Sequence, residues 1–117
     1  MDDNKEIIRY LVWLYPFLDA IEARLAIGVE TYGHGVRVND DTTQWGTKRN
    51  SWLEMALEEL DDLAIYVQAD ELRKVKFATE QGSKRYTHEA VEYREILESL
   101  AQVRLKIMEL LELVDDA

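Results

Sequence analysis

Cysteine is absent from the chain, which rules out disulfide bridges and thiolate metal sites without fixing a compartment. Proline occurs once and glycine five times in 117 residues, too few for an all-β or loop-rich fold. Long apolar runs are also missing. None reaches about 18 residues, so no segment reads as a membrane-spanning helix. The apolar stretch Ile7-Ile8-Arg9-Tyr10-Leu11-Val12-Trp13-Leu14-Tyr15 follows the acidic Met1-Asp2-Asp3-Asn4, and no small-residue cleavage site comes after it. It is therefore read as part of the fold rather than as a targeting signal, and a cytoplasmic location is expected. Positive charge is scarce: 14 Lys and Arg stand against 24 Asp and Glu, for a net charge of −10. That balance argues against duplex nucleic acid as a partner, since phosphate backbones are held by clustered cations. A small anionic ligand bridged by a divalent cation remains compatible with it.

What is present is 47% hydrophobic and 32% charged residues, patterned as helices. The expectation is a single all-α domain over residues 1–117, a four- or five-helix bundle. Such a chain could bury about two-thirds of its unfolded surface, a margin small enough that oligomerisation would help it. Helices are predicted at about 3–15, 16–32, 52–77 and 88–114, with one long polar loop at about 33–50. Pro16 stops or kinks the first helical stretch, so one kinked helix over 5–32 and two separate helices are both open. The stripe Phe17, Leu18, Ile21, Leu25, Val29, Tyr32 is the expected core face of the second helix, and Gly33 its stop. A loop as long as 33–50 usually serves a purpose.

Ser51-Trp52-Leu53-Glu54 has the form of a capping box opening the third helix. Gln81-Gly82-Ser83-Lys84 reads as a turn. Thr87 is the expected cap of the last helix, with Tyr86 and Val91 spaced as a hydrophobic staple. Along that helix Tyr93, Ile96, Leu100, Val103, Ile107, Leu110 and Val114, extended by Leu97 and Leu111, form a heptad seam suited to an intramolecular core or to a partner.

The chemistry-bearing feature lies in the third helix. Glu59 and Asp62, three residues apart, share one flank of it. Leu53, Ala56, Leu57, Leu60, Leu63, Ala64 and Val67 make its apolar stripe, with Glu54, Glu58 and Asp61 on the opposite, solvated face. Two neighbouring ionised carboxylates repel, and turned inward they would need a proton or a cation. The second helix offers a similar pair, Asp19 and Glu22, with Glu30 as a further acid near its end. Facing each other, the pairs would form a carboxylate cage for Mg²⁺, a cation that takes oxygen ligands. The bland reading is that acids are abundant here and such pairs arise by chance on a solvated face.

On these residues the chain resembles the MazG-type all-α nucleoside triphosphate pyrophosphohydrolases, most closely the small single-domain, phage-encoded kind. The family pattern is Glu-Glu-x-x-Glu on one helix and Glu-x-x-Asp on the next. Glu59-Leu60-Asp61-Asp62 matches the second half, with Glu58-Glu59-Leu60 and Ala64-Ile65-Tyr66-Val67 around it, and Tyr32-Gly33 is also similar. In Leu18-Asp19-Ala20-Ile21-Glu22 only the last two acids of the first half are kept, with Asp for Glu, and the gap to Glu59 is longer than in the family motif. The resemblance covers roughly residues 17–72 and leaves room for a weak or lost activity.

The resemblance implies Mg²⁺-dependent (Mn²⁺ could substitute) hydrolysis of a nucleoside triphosphate to monophosphate and pyrophosphate. Glu22, Glu59 and Asp62, with Asp19, are then the expected metal ligands, and Glu58 a water-orienting base. Lys48, Arg49, Arg73 and Lys74 are candidate polyphosphate contacts, and Trp45, Trp52 or Tyr66 could stack on a base. For each, a plain surface or core role is the competing reading, as it is for His34 and His88. The resemblance also implies a homodimer or homotetramer, in the host cytoplasm if the chain is phage-encoded. The rival class is a non-catalytic helical interaction or nucleotide-sensing protein built on the C-terminal heptad helix.

Overall fold

A computed structural model describes residues 2–80 and 90–116, with side chains described as far as Leu113. Every regular element among them is helical: α1 (Asn4–Leu11), α2 (Tyr15–Tyr32), α3 (Trp52–Glu80) and α4 (Ala90–Asp116), with 3-10 turns at Val12–Leu14 and Thr42–Trp45. The all-α class holds, and Val36-Arg37-Val38 forms no strand. The chain divides into two compact units, Met1–Asp41 and Thr42–Ala117. Within the first, α1 packs with α2; within the second, α3 packs with α4. The expected turn at Gln81-Gly82-Ser83-Lys84, the Thr87 cap, the Tyr86–Val91 staple, His88 and the Val114 side chain lie outside the described residues.

In the first unit the proline decides the path. Pro16 sits in the first turn of α2 and has no N–H to return to the carbonyl four residues back, so the ladder tightens to a 3-10 turn at Val12–Leu14. Residues 4–32 are thus two α-helices, not one kinked rod. α2 ends at Gly33, whose φ of 79° is left-handed and whose N–H donates to the Val29 carbonyl at 2.9 Å, a stop that glycine alone makes without strain. The half-buried face of α2 is Leu18, Ile21, Leu25 and Gly28. Phe17, Val29 and Tyr32, expected in the core stripe, are exposed. An eight-residue α1 covers only a narrow strip of a helix more than twice its length.

The N-terminal residues clasp the segment that follows α2. The Asp3 N–H donates to the Val36 carbonyl at 2.6 Å, and Asn4 Oδ1 accepts from the Val36 N–H at 2.8 Å. Asp2 Oδ2 accepts from the Gly35 N–H at 3.2 Å and Asp3 Oδ2 from the Val38 N–H at 2.7 Å. Gly35 is buried against these side chains; a Cβ there would lie 2.5 Å from Asn4 Nδ2 and 2.6 Å from Asp2 Cγ. His34 is held in the same turn, its Nδ1 2.6 Å from the Gly35 carbonyl and its Nε2 3.0 Å from the Arg37 guanidinium.

In the second unit a short collar precedes α3. The fully buried Thr42 donates through both its N–H and Oγ1 to Asn50 Oδ1 at 2.8 and 3.0 Å. Its Oγ1 also lies 3.1 Å from that of Thr47, which donates in turn to the Arg49 carbonyl. Ser51 Oγ accepts from the Glu54 N–H at 3.2 Å, the first half of the capping box. The second half takes another form, because the Glu54 carboxylate turns to Lys48 and Arg49 instead of back to Ser51.

α3 and α4 run antiparallel, since Asp61 meets Arg104 while the later Asp70 meets the earlier Tyr93. The partly buried positions of α3 include Leu53, Leu57, Leu60, Ala64 and Val67, a three-four seam. On α4 the seam is Ala90, Tyr93, Leu97, Leu100, Ile107 and Leu111, with the exposed Arg104 at the step between Leu100 and Ile107. Leu60, Tyr93 and Leu111 are the buried large hydrophobic residues among those described. The other stripe expected on α4 (Ile96, Val103, Leu110) stays exposed beside this seam.

Candidate functional site

The acids of α3 fall into two sets once their partners are known. Glu54 accepts from Arg49 Nε at 2.7 Å and from the N–H groups of Lys48 and Arg49 at 3.0 and 3.4 Å. Its carboxyl is held below the usual glutamate value, first by the Arg49 guanidinium and then by these backbone donors, with desolvation opposing. Asp61 accepts from Arg104 Nε at 2.9 Å. Asp70 accepts from the Tyr93 hydroxyl at 2.6 Å and lies 3.4 Å from Lys74 Nζ, while that ammonium sits 5.2 Å from the centre of the Tyr93 ring. The Tyr93 hydroxyl holds the Asp70 carboxyl down, and donating to Asp70 pushes the Tyr93 phenol up. The Lys74 ammonium is held protonated to higher pH, first by Tyr93 and then by Asp70. Glu71 accepts from Gln68 Nε2 at 3.0 Å. The contacts of Glu54, Asp61 and Asp70 with Arg49, Arg104 and Tyr93 fasten α3 to its collar and to α4, whereas that of Glu71 stays within α3.

The second set is Glu58, Glu59 and Asp62 in mid-helix, with Glu80 apart from them in the last turn of α3. All three mid-helix acids are exposed, and among the described residues no hydrogen bond or ion pair engages them. Asp62 stands one helical turn above both, four residues from Glu58 and three from Glu59, so the three side chains occupy one contiguous patch. They sit in the middle of an unbroken 29-residue helix, a rigid support. Glu59 lies on α3 between Ala56 and Leu63, both exposed like itself.

In the first unit Asp19 and Glu22 lie three apart on α2, both exposed, and Glu30 is exposed near the helix end. Among the described residues no three or more His, Asp or Glu side chains gather in a way that could hold a metal; each acidic pair stands as a pair within its own unit.

The expected cation contacts divide in the same way. Arg49 and Lys74 carry the fastenings just described. Lys48 reaches Glu54 through its backbone N–H, and its side chain, like that of Arg73, is exposed. Trp45 packs against Trp52, ring centres 5.4 Å apart at 58°, so the two indoles staple the collar to the start of α3. Tyr66 is exposed.

Sequence reasoning missed the contacts to Asp61, Asp70 and Glu54. One signal was present for Arg104: it falls on a three-four step of α4, where a cation asks for an acid on the facing helix. No protein-family model, curated protein or solved structure matches the chain.

Proposed function

We propose that the chain is a Mg²⁺-dependent nucleoside triphosphate pyrophosphohydrolase of the MazG-like kind, releasing a nucleoside monophosphate and pyrophosphate. The observation that carries this reading is the sorting of the α3 acids. Arg, Lys and Tyr side chains take up Glu54, Asp61 and Asp70, whereas Glu59 and Asp62 present carboxylate oxygens side by side with no such engagement among the described residues. Oxygen-only donors on a rigid helix suit a hard divalent cation that keeps part of its water shell. Glu59 and Asp62 would hold the ion, with water and phosphate oxygens completing its shell. When bound, Mg²⁺ supplies charge neutralisation and polarisation of phosphate oxygens.

The chain's own groups supply the rest. Glu58, one turn below Asp62, is assigned to accept a proton from the attacking water and orient it toward the α-phosphorus. Lys48 and Arg73 are the exposed cations assigned to the polyphosphate, while Arg49 and Lys74 serve structure first. Trp45 offers its outer face to a base. No described helix is long and apolar enough to cross a membrane, and the net charge of −10 makes a metal-bridged anion a better ligand than a bare one.

The test is an assay of the purified chain against a panel of ribo- and deoxyribonucleoside triphosphates with Mg²⁺ or Mn²⁺, following pyrophosphate release. Turnover with both products in equal amounts supports the assignment. No product from any nucleotide, together with no rise in melting temperature on adding either metal, overturns it.

A further inference from the structure

His34 follows the glycine that ends α2 and is half-buried, and each of its ring nitrogens meets a group with one fixed role. The Gly35 carbonyl, 2.6 Å from Nδ1, only accepts, so Nδ1 carries the hydrogen. The Arg37 guanidinium, 3.0 Å from Nε2, only donates, so Nε2 offers its lone pair. The ring held between them is therefore a neutral imidazole with its hydrogen on Nδ1. A proton added at Nε2 removes that second bond and sets two cations against each other.

The guanidinium is not free to step aside. Its Nε donates to Asp40 Oδ2 at 3.0 Å, and the Asp40 N–H donates to the Arg37 carbonyl at 3.0 Å, closing the turn. A protonated ring must leave instead, and its bond to the Gly35 carbonyl goes with it. Gly35 and Val36 are the residues that Asp2, Asp3 and Asn4 hold. Packing around Gly35 leaves no room for a Cβ, so a shift of this peptide is felt by each of those bonds.

No other charged side chain takes over the ring. Asp2 spends its two oxygens on the N–H groups of Asn4 and Gly35, and Asp3 accepts from the Val38 N–H. Lys5, Glu6 and Arg9 of α1, Glu30 of α2 and Asp41 after the turn are exposed. None of them makes a hydrogen bond or ion pair with the imidazole among the described residues.

We propose that His34 is a proton-operated latch on the first unit. Neutral, it holds residues 34–38 against residues 2–4; protonated, it lets them part. The latch is closed at the higher pH and opens as pH falls.

The experiment is nuclear magnetic resonance of the full chain labelled with heavy nitrogen, in which His88 is the other histidine. Long-range proton–nitrogen spectra at about pH 7.5, above the ordinary imidazole range, should place the His34 hydrogen on Nδ1. A hydrogen on Nε2 overturns the proposal. Hydrogen-exchange protection at Gly35, Val36 and Val38, corrected for the pH dependence of free amides, is then compared at about pH 7.5 and about pH 5.5. Imidazoles as a class change charge across that span and carboxylates do not. Protection should fall about tenfold, the scale of losing one hydrogen bond.

His34→Asn has no proton to take up and should show the same protection at both pH values. Arg37→Gln is measured beside it: a protonated ring there meets no cation, and the fall should largely disappear. Protection in the parent that ignores pH, or that falls equally in either variant, overturns the latch. Should neither variant hold the turn, the tautomer and the parent's own titration decide. Nucleotide and metal enter none of these readouts, so the result stands apart from the enzymatic reading.

Discussion

Arg104 of α4 donates from Nε to Asp61 Oδ1 of α3 at 2.9 Å, from a seam position flanked by Leu100 and Ile107. Both side chains are 48% exposed, so the pair is a surface ion pair of small net worth. An apolar residue at 104 would continue the seam. Arg104→Leu is expected to leave the melting temperature unchanged or to raise it. A clear fall in thermal unfolding would show that the cation stabilises the pairing more than its exposure allows.

Leu60 is the buried aliphatic residue in the middle of α3, at 9% exposure. Truncating such a side chain removes its transfer free energy and leaves a cavity. Leu60→Ala should cost about 2–5 kcal/mol in urea unfolding. Leu63→Ala, at a position 46% exposed, should cost much less.

Gly35 tests the N-terminal clasp. A Cβ there meets Asn4 Nδ2 at 2.5 Å and Asp2 Cγ at 2.6 Å, and both side chains are short and already hydrogen bonded. Gly35→Ala should destabilise the first unit by about 1–3 kcal/mol, the usual cost of overpacking. Amide exchange should quicken at Val36 and Val38, whose N–H groups the clasp holds.

Acid should loosen the collar before α3. The Glu54 carboxyl is depressed from its ordinary value of 4.5, first by Arg49. Its contribution is therefore fully present above that value and is lost as pH falls through the lower folded value. Glu54→Gln has no carboxyl at this position to protonate, so it lacks this component of the acid loss. Circular dichroism melts at about pH 3 and about pH 6, on either side of the ordinary carboxylate range, compare the two proteins.

Glu59→Gln and Asp62→Asn should each reduce pyrophosphate release by about a hundredfold or more, the scale of losing one key electrostatic group. Both should leave the fold intact, since neither side chain fastens α3 to anything among the described residues. Equal turnover in parent and both variants would remove them as ligands.

Local chemistry made the helix ends readable: Pro16, Gly33 and Ser51 each act through a backbone group within four residues. The face of α4 was harder. Two three-four stripes overlap there and share Tyr93, Leu100 and Ile107. One continues through Ile96, Val103 and Leu110, the other through Leu97, Arg104 and Leu111. Hydrophobicity alone favours the first, because Arg104 interrupts the second. The second is the one buried against α3, since Asp61, more than forty residues away in sequence, makes an arginine welcome. The α3 acids pose the same difficulty. Spacing marks Glu59 and Asp62 as neighbours, but only the positions of Arg49, Arg104 and Tyr93 show which of the other acids are already engaged.

The tilted indoles of Trp45 and Trp52, 5.4 Å apart, have an optical consequence. Transitions coupled at that separation give an ultraviolet dichroic couplet that vanishes when the collar opens. Trp13, the third tryptophan, is 72% exposed in the first unit, so it fluoresces at longer wavelength. Each half of the molecule thus carries its own colour, and one melting curve recorded in two channels would tell whether they come apart together.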